Sequence, residues 1–94
     1  MSAEDLTLNI AVNMGRLARW ADEGKEARVK QFLQETEGYI EKLELAPKSQ
    51  RFIPTFNAFV GKFKELKGNL KLDKYWAEDA LTWANILTHR AKLA

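Results

Sequence analysis

Ninety-four residues, 46% of them apolar and 30% charged, suit one domain spanning 1–94 with a single core. The lack of cysteine excludes disulfides, thiolate zinc sites and a cysteine nucleophile. The net charge of +2 is uneven: residues 1–47 carry nine acids and six bases, 48–74 carry seven bases and two acids, and 75–94 balance at two and two.

The chain opens "MSAEDLTLNI", with acids where a secretory signal would carry cations. No stretch approaches the roughly eighteen uncharged apolar residues of a membrane span. The expectation is a soluble, cytoplasmic chain with no membrane partner. "LTLNIAVNM" alternates apolar and polar residues, the period of a strand. No other run could pair with it, and an isolated strand leaves its backbone groups without partners. Read as a helix, Leu6, Ile10, Met14, Leu17, Trp20 and Ala21 gather on one side. Leu8 and Val12 form a second apolar patch, and Asn9, Asn13 and Arg16 a narrow polar strip. Gly24 closes this helix, and the short turn sets the next one antiparallel.

From Val29, apolar or semi-apolar residues recur at Phe32/Leu33, Thr36, Tyr39/Ile40 and Leu43, one buried helix face. Gly38 interrupts it at about 1 kcal/mol relative to Ala, which suggests close approach by a neighbouring helix. Ala46-Pro47 marks the exit, because proline disfavours helix in the residue before it. In "RFIPTFNAFVGKFKELK" (51–67), Phe52, Phe56, Phe59, Phe63, Leu66 and then Leu70 fall on one narrow helical stripe. Pro54 tolerates only a first-turn position, so this helix begins near Ile53-Pro54, after a loop or irregular turn over 48–52. Gly68-Asn69 reads as a left-handed cap. Asp73 is the N-cap of a last helix, whose stripe is Trp76, Ala80, Trp83, Leu87 and Ala91, widened by Ala77, Leu81 and Ala84. The expected fold is all-α, a four-helix up-down antiparallel bundle.

The candidate sites follow from this placement. Four exposed phenylalanines would present about 600–1,000 Å² of apolar area, beyond the roughly 300–600 Å² of the largest patches on soluble monomers. The stripe is therefore core or subunit interface, not a stacking platform for single strands. The cations stand apart from it: Lys48 and Arg51 before the helix, Lys62, Lys64 and Lys67 on it, Lys71 and Lys74 after it. They either keep the protein soluble or form a sequence-independent surface for phosphate or an acidic partner. His89 falls on the polar side of the last helix with no partner to position its ring. The chain has no Glu-x-x-His pair of the di-iron kind, so no catalytic residue, metal site or cofactor is expected. Leu8 and Val12 suit an oligomer interface, because the first helix is apolar on more than one face.

The run "LTLNIAVNMGRLARWADEGKEARVKQFLQETEGYIEKLELA", residues 6–46, resembles the first helical hairpin of a group of small four-helix-bundle proteins. These include the accessory variability determinants of diversity-generating retroelements and the bundle proteins encoded in ribosomal-RNA intervening sequences. The shared features are the Leu6-Thr7 opening, the "ADEG" turn at 21–24, the Phe32-Leu33 pair and the Leu-Glu-rich end. The resemblance implies an obligate small oligomer with a basic surface, an accessory that contacts nucleic acid and a partner such as a reverse transcriptase. It implies no enzyme activity and assigns no individual residue. The expectation is thus a non-enzymatic homo-oligomer contacting RNA, DNA or a nucleic-acid enzyme through the 48–74 cations. The alternative is a protein–protein adaptor or regulatory subunit without nucleic-acid contact.

Overall fold

Ser2 opens the first helix with a reciprocal cap. Its hydroxyl accepts from the Asp5 amide at 3.1 Å, and the Asp5 carboxylate accepts from the Ser2 amide at 3.4 Å, satisfying two helix-end donors at once. Helix α1 runs Ala3–Asp22 in this computed structural model, which describes Met1–Ala94. Gly24, at φ 70, takes the left-handed conformation. It lets the Lys25 amide reach the Trp20 carbonyl at 2.8 Å and its own amide reach Ala21 at 3.1 Å, the paired closure that a glycine past the last turn permits.

Helix α2, Glu26–Leu45, follows at once and ends where Ala46 turns extended at ψ 147 ahead of Pro47, as the steric demand of proline requires. Helix α3, Ile53–Gly68, carries Pro54 in its first turn, where no amide donor is missed. Gly68 remains helical and Asn69 sits at φ −137, so the expected left-handed cap at Gly68-Asn69 does not form. The chain instead leaves the helix extended, and half-buried Leu70 and Leu72 pack against the core. Helix α4, Lys74–Arg90, begins at Asp73, whose side chain accepts from the Trp76 amide at 2.9 Å. A short 3₁₀ turn, Ala91–Leu93, follows.

The molecule is all-helical and measures 36 × 19 × 19 Å. A twenty-residue helix is about 30 Å long, so α1 and α2 can lie only along the long axis. One continuous core joins residues of all four helices, from Ala3 to Leu87. It contains the phenylalanine stripe: Phe52, Phe56, Phe59, Phe63 and Leu66 are buried. Burial of each ring stabilises the fold by about 1.5–3 kcal/mol.

Residues early in α3 meet residues late in α4, and the reverse. The Ser49 hydroxyl donates to the Leu93 carbonyl, Arg90 donates to Thr55 at 3.1 Å, and Trp76 Nε1 donates to the Leu66 carbonyl at 3.0 Å. Helix α1 approaches α4 and α2 closely, whereas the α3 backbone stands away from its neighbours.

Three side-chain expectations are corrected. Asn13 is not on an exposed polar strip with Asn9 and Arg16; it is 3% exposed and its Nδ2 has no partner. It lies seven residues before Trp20, whose ring meets Phe32 of α2 at 4.6 Å, so α2 covers that side of α1. Leu81 does not widen the buried stripe of α4 but is 50% exposed, because it falls on the outer edge of the α1–α4 seam. Gly38 gives no close approach: a Cβ there would meet nothing within 4 Å.

Candidate interaction surfaces

The seven cations of 48–74 do not form one surface. Lys48 curls back onto the end of α2, donating to the carbonyls of Leu43, Glu44 and Ala46 at 2.7, 2.8 and 3.0 Å. It supplies donors to carbonyls at the helix end, where intrahelical partners run out, and its ammonium lies 5.1 Å from the Phe56 ring centre. Lys62 bridges Glu65 at 3.0 Å and Asp79 of α4 at 3.4 Å. The hydrogen bond to Glu65, with the Asp79 charge adding to it, holds the Lys62 ammonium above its ordinary range. Lys67 pairs with Glu37 of α2. These three cations tie α3 and its approach to the helices beside it.

Arg51, Lys64, Lys71 and Lys74 are exposed and form no ion pair within the chain. They are spread among acids. Lys64 borders a groove of about 360 Å³ between α2 and α3 that Glu37, Glu41 and Glu44 also line. Lys71 borders a hollow of about 220 Å³ shared with Glu65, Asp73 and Asp79. Lys74 lies 5.3 Å from the Tyr75 ring, beside Asp22 and Glu78. Arg51 sits in the turn before α3, far along the chain from the other three. The charge excess that is local in sequence is therefore interleaved with carboxylates in space, and the field of the segment is weaker than its count suggests.

Exposed large apolar side chains occur along the whole chain, from Met1 to Leu93, and two of them share one face of α1. Leu8 and Val12, the expected interface residues, are 39% and 54% exposed on α1. From Gly15, one turn beyond Val12, a groove of about 350 Å³ runs between α1 and α4, lined among others by Ala18, Ala77 and Leu81. A Cβ on Gly15 would meet nothing within 4 Å, so no group of the chain fills this groove. Sequence reasoning missed Leu81 and Gly15. Leu81 is one step from a buried stripe, and only the distance between helices decides which side of the boundary it takes.

His89 is exposed, and its Nδ1 lies 2.7 Å from the Asn85 carbonyl, a bond within its own helix. No group of three or more histidine, aspartate or glutamate side chains is placed to hold a metal ion. No helix is long and apolar enough to cross a membrane. Glu23, at the end of α1, is drawn below the ordinary carboxylate range by the hydrogen bond from Lys25, a local contact of the turn. Comparison with family models, with curated proteins and with solved structures finds no match to this chain.

Proposed function

We propose that this chain is a non-enzymatic interaction module: an up-down antiparallel four-helix bundle that associates with itself and serves as an accessory or adaptor subunit in the cytoplasm. One observation carries the reading. Leu8 and Val12 stay exposed on α1, and the next turn of the same helix borders an unfilled groove that exposed Leu81 also lines, in a protein that buries four of its five phenylalanines. The tight Gly24 turn between α1 and α2, and the reversed order of contacts between α3 and α4, support the up-down arrangement. Replacing Leu8 and Val12 with Glu is expected to lower the mass in solution while leaving helicity unchanged. An unchanged mass overturns the proposal.

Contact with nucleic acid or a nucleic-acid enzyme, such as the reverse transcriptase that the hairpin resemblance suggests, is the second reading. Its support is the four unpaired cations Arg51, Lys64, Lys71 and Lys74. If they meet phosphates, affinity for duplex DNA falls with salt at a log–log slope of about −0.9 per contact. From this segment at most four such contacts are available without breaking the ion pairs of Lys62 and Lys67 or the bonds of Lys48 to the end of α2. Undetectable binding to RNA and DNA at low salt leaves the adaptor reading alone.

A further inference from the structure

The exposed stripe of α1 has an order along its length. Glu4 and Asp5 stand at its start, Leu8 and Val12 at its middle, Arg16 and Arg19 towards its end, and all six are exposed. None of the four charged groups forms an ion pair within the chain. The Asp5 carboxylate accepts only the Ser2 amide. A surface meant for phosphate would show one sign of charge. This one runs from acid through apolar to base, and so it complements its own reverse.

Resting on the self-association proposed above, we infer that the α1 stripe docks on the same stripe of a second copy, about a two-fold axis passing beside Val12. The two α1 helices then run antiparallel. Val12 meets the Val12 of the copy. Asp5 and Glu4 come opposite Arg19 and its neighbourhood, twice over by symmetry. Leu8 comes opposite Arg16, where it can lie along the methylene stem and enter the groove beside Gly15. A two-fold interface requires one self-complementary patch, and this stripe is one. The parallel alternative sets acid on acid and base on base, which like-charge repulsion disfavours. The Gly15 groove gives the reason that an otherwise helix-favouring segment leaves this position bare: the space belongs to the partner's side chain.

The lack of any cysteine makes the test direct. Val12→Cys supplies the only thiol, and a two-fold beside it brings the two Cα atoms to about the 4.4–6.8 Å that a disulfide needs. Under mild oxidation this variant is expected to cross-link to a covalent dimer at least about tenfold faster than Leu45→Cys, whose residue is 88% exposed at the end of α2. Adding Arg16→Glu and Arg19→Glu to Val12→Cys is expected to slow cross-linking about tenfold, the effect of a few exposed charge pairs turned repulsive. Glu4→Arg on that background is expected to restore part of it. Equal rates for the two cysteine variants, or indifference to the arginine reversal, overturn the docking. If the parent chain still associates in light scattering, only this geometry is lost. If the parent is monomeric at every concentration, the self-association proposal falls with it.

Discussion

The α1–α4 seam and the α3 flank fill the same core by opposite means. Buried Ala18 and Ala77 face one another across the seam, α1 and α4 also bury Ala11, Ala80 and Ala84, and the two backbones come close. Small side chains contribute little apolar area each, so the seam gains its contact from backbone proximity. On the other flank α3 stands off and fills the gap with rings: Phe59 meets Trp83 at 5.7 Å and Phe63 at 5.9 Å, all tilted, the geometry that aromatic pairs prefer. The difference has a functional consequence. Rings turned inward leave α3 with Ile53, at its first turn, as its one exposed large apolar side chain, whereas Leu8 and Val12 on α1 and Leu81 on α4 stay exposed on the two helices of the seam.

Substitutions that exchange the two strategies test this contrast. The largest effect is expected at Phe59, 1% exposed. Phe59→Ala opens a cavity that a stood-off helix cannot collapse to fill, and should lower unfolding free energy in denaturant titration by about 3–5 kcal/mol. A loss below about 1 kcal/mol means that α3 can move in and that its spacing is not set by the rings. Next comes the reverse exchange on α4. Ala80→Leu, at a position with no exposure, overfills a close-packed site and should cost about 1–3 kcal/mol. If it stabilises the protein instead, Ala80 faces spare room and the small-residue account of α4 is wrong.

The smallest effect concerns the bridge between the two flanks. Lys62 links α3 to Asp79 of α4, and its folded-state proton affinity is raised by Glu65 and Asp79. Its contribution is therefore complete below the ordinary lysine value of about 10.4 and fades as pH climbs through the raised one. Lys62→Met should cost less than about 1 kcal/mol near neutrality, because the half-buried Lys62 side chain pairs with carboxylates that are themselves exposed to solvent, and should make stability less sensitive to pH on the alkaline side. A parent and variant whose stabilities fall in parallel above pH 10 show that Lys62 carries no such contribution.

How far the fold could be read from the residues depended on how local each determinant was. The Gly24 closure, the Pro54 start of α3 and the Asp73 cap were legible, because each needs only a few neighbouring residues. The inward stripe of phenylalanines was legible for a different reason: exposing it would cost more than a small domain can bear. Asn13 and Leu81 were misread, and both sit at the edge of a buried face. Their burial depends on how near α2 comes to Asn13 and α1 to Leu81, which periodicity along a single helix does not encode. The cations show the same limit. Their number between 48 and 74 is visible in sequence, but the carbonyls that take Lys48 and the carboxylate that takes Lys67 come from α2. Leu8 and Val12 were legible as a second apolar patch because α1 has more apolar arc than one neighbour covers. The acid-to-base order flanking them gains meaning only once the structure leaves Glu4, Arg16 and Arg19 without partners.

The claim on which the functional account stands is that the outer face of α1 is made to be covered. Solution mass by light scattering, followed from micromolar to hundreds of micromolar, tests it most directly. The account predicts a mass that rises to at least twice the 10.8 kDa of one chain. A constant 10.8 kDa across that range would contradict it.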